Sequence, residues 1–124
     1  MKNKLPPPAD INVVKLELVR IKIILEDPGK LRVASDRKKN MDTLARLGIT
    51  PAGCITYINS LTYRNYLSGP MDDRDTDEEN CIWEFGTRIN AIDVYIKIKH
   101  IEDDDLLVLS FHEVMILVTS GQDS

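Results

Sequence analysis

Apolar residues recur along this chain at two periods, three to four residues in its first half and two residues after position 80. Ile11, Val14, Leu18, Ile21 and Leu25 follow Asp10 at steps of three and four, and the run Asp27, Pro28, Gly29 ends the pattern. An aspartate ahead of such spacing can accept from the free amides of a first helical turn, so the segment predicts a helix. The same stretch also alternates, with Leu16, Leu18, Ile21 and Ile23 set against Glu17, Arg20 and Lys22, which keeps a strand as the rival reading. Ser35 can cap a second helix carrying Met41, Leu44 and Leu47, with Gly48 as its stop. Thr50 and Pro51 open a third helix to about Ser60, buried through Ile55 and Ile58.

Beyond Gly69 and Pro70 the period becomes two. Strands are predicted over residues 81–87, 93–101 and 106 to about 118, joined by turns at 88–91 and 102–105. Connections this short favour an antiparallel meander. Residues 71–80, with Asp72, Asp73, Asp75, Asp77, Glu78 and Glu79, read as an exposed, self-repelling loop. The expected fold is α+β, with N-terminal helices packed on a three-stranded or slightly larger antiparallel sheet. Residues 1–9, through Pro6, Pro7 and Pro8, form an extended arm, and residues 10–124 a single domain.

Composition narrows the function classes. At 124 residues, 43% hydrophobic and 29% charged, the chain can bury one core and is neither low-complexity nor disordered. Cys54 and Cys81 lie far apart with no histidine cluster, so they read as small buried hydrophobes and not as a disulfide scaffold or zinc site. No apolar run reaches membrane-spanning length, and a cytoplasmic protein without a membrane partner is expected. Net charge is −4, but residues 1–70 hold 12 Lys/Arg against 6 Asp/Glu, and residues 71–124 hold 4 against 14. Only the first half suits a polyanion.

Strand pleating then sorts the β-half into faces. Val94, Ile96 and Ile98 point one way, and Tyr95, Lys97 and Lys99 the other; Leu107, Leu109 and Phe111 leave Ser110 and His112 opposite; Trp83 and Phe85 leave Glu84 and Gly86 opposite. Glu84, Tyr95, Lys97 and His112 therefore converge on one outward surface. These are the parts that cleavage of RNA by side chains alone requires: a base for the 2′-hydroxyl, a cation for the phosphorane and an acid for the leaving oxygen. Glu84 or His112 can serve as base, His112 as acid, Lys97 as cation, and Tyr95 as hydrogen-bond donor or stacking platform. Lys99 and the basic opening of the second helix, Arg37, Lys38 and Lys39, are candidate contacts to an RNA backbone. The plainer account of such residues is a solvated polar face. Trp83 reads as core, and His100 as a strand-end histidine whose pKa the acidic turn raises. Asp73, Asp75, Asp77 and Glu84 fall at calcium-loop spacing, but Glu78 stands where that loop needs glycine.

Five motifs occur in order: residues 44–50 (LARLGIT), 66–70 (YLSGP), 83–86 (WEFG), 95–99 (YIKIK) and 110–112 (SFH). Over about residues 37–114 the chain thereby resembles the MqsR family of toxins from bacterial toxin-antitoxin pairs. The resemblance implies a RelE-like toxin fold, metal-independent cleavage of messenger RNA, and neutralisation by a cognate antitoxin; transesterification by side chains needs no cofactor, and a toxin that cuts only on the ribosome is a further alternative. The resemblance also implies catalytic roles for Tyr95 and for Glu84, which stands where better-known members have Gln. His112 replaces a family lysine, and Ser68 replaces another. The competing expectation is a non-catalytic protein-binding module that keeps the toxin fold.

Overall fold

The Asn12 amide donates to Asp10 Oδ1 at 2.8 Å, and from that cap α1 runs Ile11–Ile24. The computed structural model describes residues 8–101 and 104–114, so most of the expected arm, part of the 102–105 turn and any strand beyond Val114 lie outside the described residues. Val14, Leu18, Ile21 and Leu25 are buried as the spacing predicts. Ile11 departs from it at 45% exposure, because packing against the sheet begins one turn later, at Val14.

Eight elements follow the order α1, β1 (Leu31–Val33), α2 (Lys38–Leu47), α3 (Cys54–Asn59), β2 (Tyr66–Asp73), β3 (Glu78–Ile89), β4 (Ile92–Ile101) and β5 (Asp105–Glu113). The fold is α+β, with three α-helices and a five-stranded mixed sheet in the order β1-β5-β4-β3-β2 among the described residues. Strands β3 to β5 form the expected three-stranded antiparallel meander; β2 extends it at one edge, and β1 adds a parallel edge beside β5 that makes the sheet mixed where an antiparallel one was expected. Three residues carry too little periodicity to announce β1. Helix α2 starts at Lys38 behind Arg37, which makes no side-chain cap, so Ser35 does not cap it; Gly48 does end it, at φ 73°. Thr50 caps a short 3₁₀ turn, Pro51–Gly53, that leads into α3. The β3–β4 turn is tight, with Asn90 at φ 50° and Ala91 at φ 67°.

The largest departure concerns residues 71–80. They are no loop: β2 and β3 continue through them as a hairpin, and their carboxylates close over Lys99. Gly69 and Pro70, taken from sequence as a boundary before the sheet, lie inside β2. Ser68 pairs with Glu84 and Met71 with Ile82, so this dipeptide adds one residue to β2, a bulge that admits proline on an edge strand. Only glycine fits there, since a Cβ on Gly69 would stand 2.6 Å from the Ile82 carbonyl oxygen.

A second bulge governs β5. Lys97 pairs with Ser110, but its neighbour Ile98 pairs with Val108, leaving Leu109 as the extra residue. Leu106, Val108 and Phe111 consequently all face the core, at 0% exposure, against Ile96 and Ile98. This corrects the inward set expected from simple alternation: Leu107 and Leu109 are half-buried, and the pleat changes phase between Val108 and Phe111. Beyond Val108 the free edge of β5 has no strand partner among the described residues, and α2 takes that place. Buried Asn40 donates to the Ala34 and Leu109 carbonyls at 3.0 and 3.1 Å and accepts from the Phe111 amide at 2.9 Å, while Thr43 accepts from the Glu113 amide at 2.8 Å.

On the core side, α1 is tied to the end of β4 by a buried ion pair. His100 Nδ1 lies 2.8 Å from Glu17 Oε2, and its Nε2 3.6 Å from exposed Asp104. The hydrogen bond to Glu17 raises the pKa of His100 against the opposing effect of burial, so the cause is chiefly the helix carboxylate and only secondarily the acidic turn. Replacing Asn40 by Ala strands three backbone groups at once and should lower stability by about 2–4 kcal/mol. Urea unfolding of the Asn40→Ala chain measures this directly; a loss under about 0.5 kcal/mol would mean that water replaces the side chain at no net cost.

Candidate active site

Directly opposed residues of neighbouring strands share a face, so the register itself assembles the site. Ser68 on β2 lies opposite Glu84 on β3, Glu84 opposite Lys97 on β4, Lys97 opposite Ser110 on β5, and Tyr95 opposite His112. The core side of these strands is filled by Phe85, Val94, Ile96 and Phe111, which leaves the polar residues on the other face. The four residues expected to converge, Glu84, Tyr95, Lys97 and His112, do so, each half-buried.

Glu84 is the hub. Its Oε2 accepts from the Tyr95 hydroxyl and its Oε1 from the Ser68 hydroxyl, each at 2.5 Å. Burial, followed by the hydrogen bond and charge of Glu84, pushes the Tyr95 phenol well above its ordinary pKa. Tyr95 is therefore a protonated donor at neutral pH and not a base. The His112 ring stands 5.5 Å from that of Tyr95, centroid to centroid, tilted by 49°. His112 Nδ1 lies 3.2 Å from the Glu113 carbonyl oxygen. A carbonyl can only accept, so Nδ1 carries the proton in the neutral ring and Nε2 keeps its lone pair. Lys97 makes no ion pair among the described residues, which leaves its ammonium for a ligand.

Lys99 shares this face but not this availability. Its side chain is 7% exposed, and its ammonium bonds Asp73 at 2.7 Å, Glu78 at 2.5 Å and Thr76 at 3.1 Å. Burial opposes its charge, yet the two carboxylates hold its pKa above the usual lysine value, and Lys99 in turn holds those of Asp73 and Glu78 below theirs. Of the acids at calcium-loop spacing, Asp73 thus serves a lysine and Glu84 a tyrosine and a serine. Arg37, Lys38 and Lys39 remain exposed at the start of α2, with Lys38 paired to Asp42 at 2.6 Å. None of the three makes a hydrogen bond to the Tyr95 group. No three His, Cys, Asp or Glu side chains gather as a metal site among the described residues. Cys54 is buried and its thiol is pushed up to about 12 by burial, and burial raises that of Cys81 as well.

A cavity of about 380 Å³, lined by Glu17, Arg20, Cys81, Trp83 and His100 among others, opens on the α1 side of the sheet. None of the Tyr95 group lines it, and the convergent hydroxyl, carboxylate, imidazole and ammonium groups mark the opposite face as the better candidate for chemistry. Two contributors were not visible in the sequence. Ser68, read there as a lost cation, is the second donor to Glu84, and Asn40 holds the strand that carries His112. The pattern of one residue too many between Ser68 and Met71 could have been noticed only with the register in hand. No described helix is long and apolar enough to cross a membrane. Compared with protein families and with curated proteins, the sequence finds no match, so the reading of this site rests on its own geometry.

Removing the negative charge on Glu84 tests the hub. In Glu84→Gln the Tyr95 phenol should titrate at lower pH than in the wild type while staying above an ordinary tyrosine, because burial is the larger cause. Ultraviolet pH titration, with Tyr95→Phe identifying the transition, reads the shift; an unmoved transition would remove Glu84 as the group that holds the phenol.

Proposed function

We propose that the chain is an endoribonuclease toxin that cuts messenger RNA by side-chain acid-base chemistry. The observation that carries this reading is the hydrogen-bonded Tyr95–Glu84 pair with His112 and Lys97 beside it on the face of the sheet turned from the core. His112 Nε2 takes the 2′-hydroxyl proton of the RNA, and the resulting alkoxide attacks the adjacent phosphorus. Lys97 faces the negative charge that develops on the phosphorane oxygens and supplies a proton to the departing 5′-oxygen. Tyr95, kept protonated, donates to a phosphate oxygen or packs a base, and Glu84 positions it.

The α+β architecture, with α1 and α3 on one face of a largely antiparallel sheet, supports a RelE-like arrangement, and the five ordered motifs support the MqsR likeness. In this reading the partners are messenger RNA, presented free or on the ribosome, and a cognate antitoxin in the cytoplasm. A second reading, a protein-binding module, gains support from Lys99: its burial between Asp73 and Glu78 leaves Lys97 as the one sheet-face lysine without an ion pair among the described residues.

Induced expression of the wild type beside Tyr95→Phe and His112→Ala, with growth followed and RNA ends mapped, separates the two readings. The wild type should arrest growth and create new sequence-specific ends, and each variant, at equal protein level, should lower cleavage by about 10²-fold or more. Unchanged growth and unchanged ends with soluble wild-type protein would leave the binding module.

A further inference from the structure

Helix α1 is apolar on the side turned to solvent as well as on the side turned to the sheet. Five of the seven exposed large hydrophobic residues among those described lie on it: Ile11, Val13, Leu16, Val19 and Ile23, with Leu16 and Ile23 both at 59%. At 3.6 residues per turn, Val13, Leu16, Val19 and Ile23 form a continuous ridge spanning eleven residues, about 15 Å. A helix apolar all round is ordinarily covered on every side, and single exposed apolar residues are common, but a ridge of four on one helix marks an interaction surface.

The charges on α1 identify the kind of partner. Lys15 and Lys22 lie along one side of the ridge, with the Lys15 ammonium 4.9 Å from the Tyr63 ring centroid, and Arg20, viewed down the axis, lies within the ridge between Val13 and Leu16, 4.0 Å from Glu17. The helix's single acid, Glu17, is 5% exposed and turned inward to His100, and the nearest exposed acids, Asp10 and Glu26, stand past the helix ends, so three cations against none give the outer face of α1 itself a basic character. A second copy of α1 would set like charges against each other along the whole contact. An apolar ridge of basic character is complementary to a helix whose apolar stripe is flanked by Glu or Asp. We infer that the outer face of α1 docks an acidic amphipathic helix of a protein partner. This surface lies on the helix layer, with the sheet core between it and the Tyr95 group, and the inference does not depend on catalysis.

The test uses the full chain and a synthetic three-turn peptide with Leu along one face and Glu on its flanks, beside the same peptide with Lys in place of Glu. By fluorescence anisotropy the acidic peptide should bind, weaken as salt rises, and lose about tenfold or more in affinity against the double variant Leu16→Ser with Ile23→Ser. Both positions are exposed, so thermal unfolding of that variant should match the wild type and exclude misfolding as the cause. Equal binding of both peptides, binding of neither, or binding only to phosphatidylglycerol vesicles would overturn the inference. So would a dimer, seen by sedimentation, that the double variant dissolves. The chain's own apolar residues 115–118 are the remaining occupant: acidic-peptide binding seen only after their deletion would overturn the inference in their favour, and binding that the double variant leaves unchanged would overturn it by placing the site elsewhere.

Discussion

The extra residue at Leu109 decides what β5 shows to each side of the sheet. Strict alternation from Leu106 and Val108 would send Ser110 and His112 into the core and Phe111 out to solvent. With one residue inserted, Phe111 joins Val108 in the core and His112 comes to stand across from Tyr95. A bulge costs ladder hydrogen bonds, and Asn40 supplies them from α2, reaching Ala34, Leu109 and Phe111 together. The helix that sequence analysis valued for its basic first turn is therefore the brace of the candidate site, and a buried asparagine between Lys39 and Met41 is its working residue.

The other bulge, at Gly69 and Pro70, does the same for β2. It brings Ser68 opposite Glu84, so that the carboxylate receives two hydroxyls from two strands. The β2–β3 ladder carries three register shifts, this bulge among them, and the β4–β5 ladder one, whereas the register of the β3–β4 pair runs unbroken from Ile82 with Lys99 to Ile89 with Ile92. A regular central hairpin thus carries Glu84, Tyr95 and Lys97, and its two bulged neighbours bring Ser68 and His112 into line with them.

This division explains what the sequence made legible. The period-two pattern in β3 and β4 placed Glu84, Tyr95 and Lys97 on one face because no bulge interrupts either strand there. His112 was placed on the correct face by counting from Phe111, while Leu107 and Leu109 were misassigned, since a one-residue insertion leaves no mark in an apolar run. Residues 71–80 misled for an electrostatic reason. Six acids in ten positions imply repulsion until Lys99, twenty or more residues away, is seen to gather Asp73 and Glu78. The ambiguity of α1 between helix and strand had a cause too, for Leu16, Val19 and Ile23 face solvent and blur the stripe that Val14, Leu18 and Ile21 bury.

The charge asymmetry of the chain persists in the fold. Lys99 and Arg88 are already counted in the −10 of residues 71–124, and among the ion pairs of its acids only Arg46–Glu113 draws a cation from the first half, so most of that excess stays on the second half. The central claim is that His112 and its neighbours activate a 2′-hydroxyl, and the chemistry of the cut ends tests it most directly. Messages cleaved by the chain in a translating extract should carry a 2′,3′-cyclic phosphate and a 5′-hydroxyl, and a 2′-deoxy substitution at the cut position should abolish cleavage. Ends bearing a 5′-phosphate, or cutting that survives the deoxy substitution, would contradict the account.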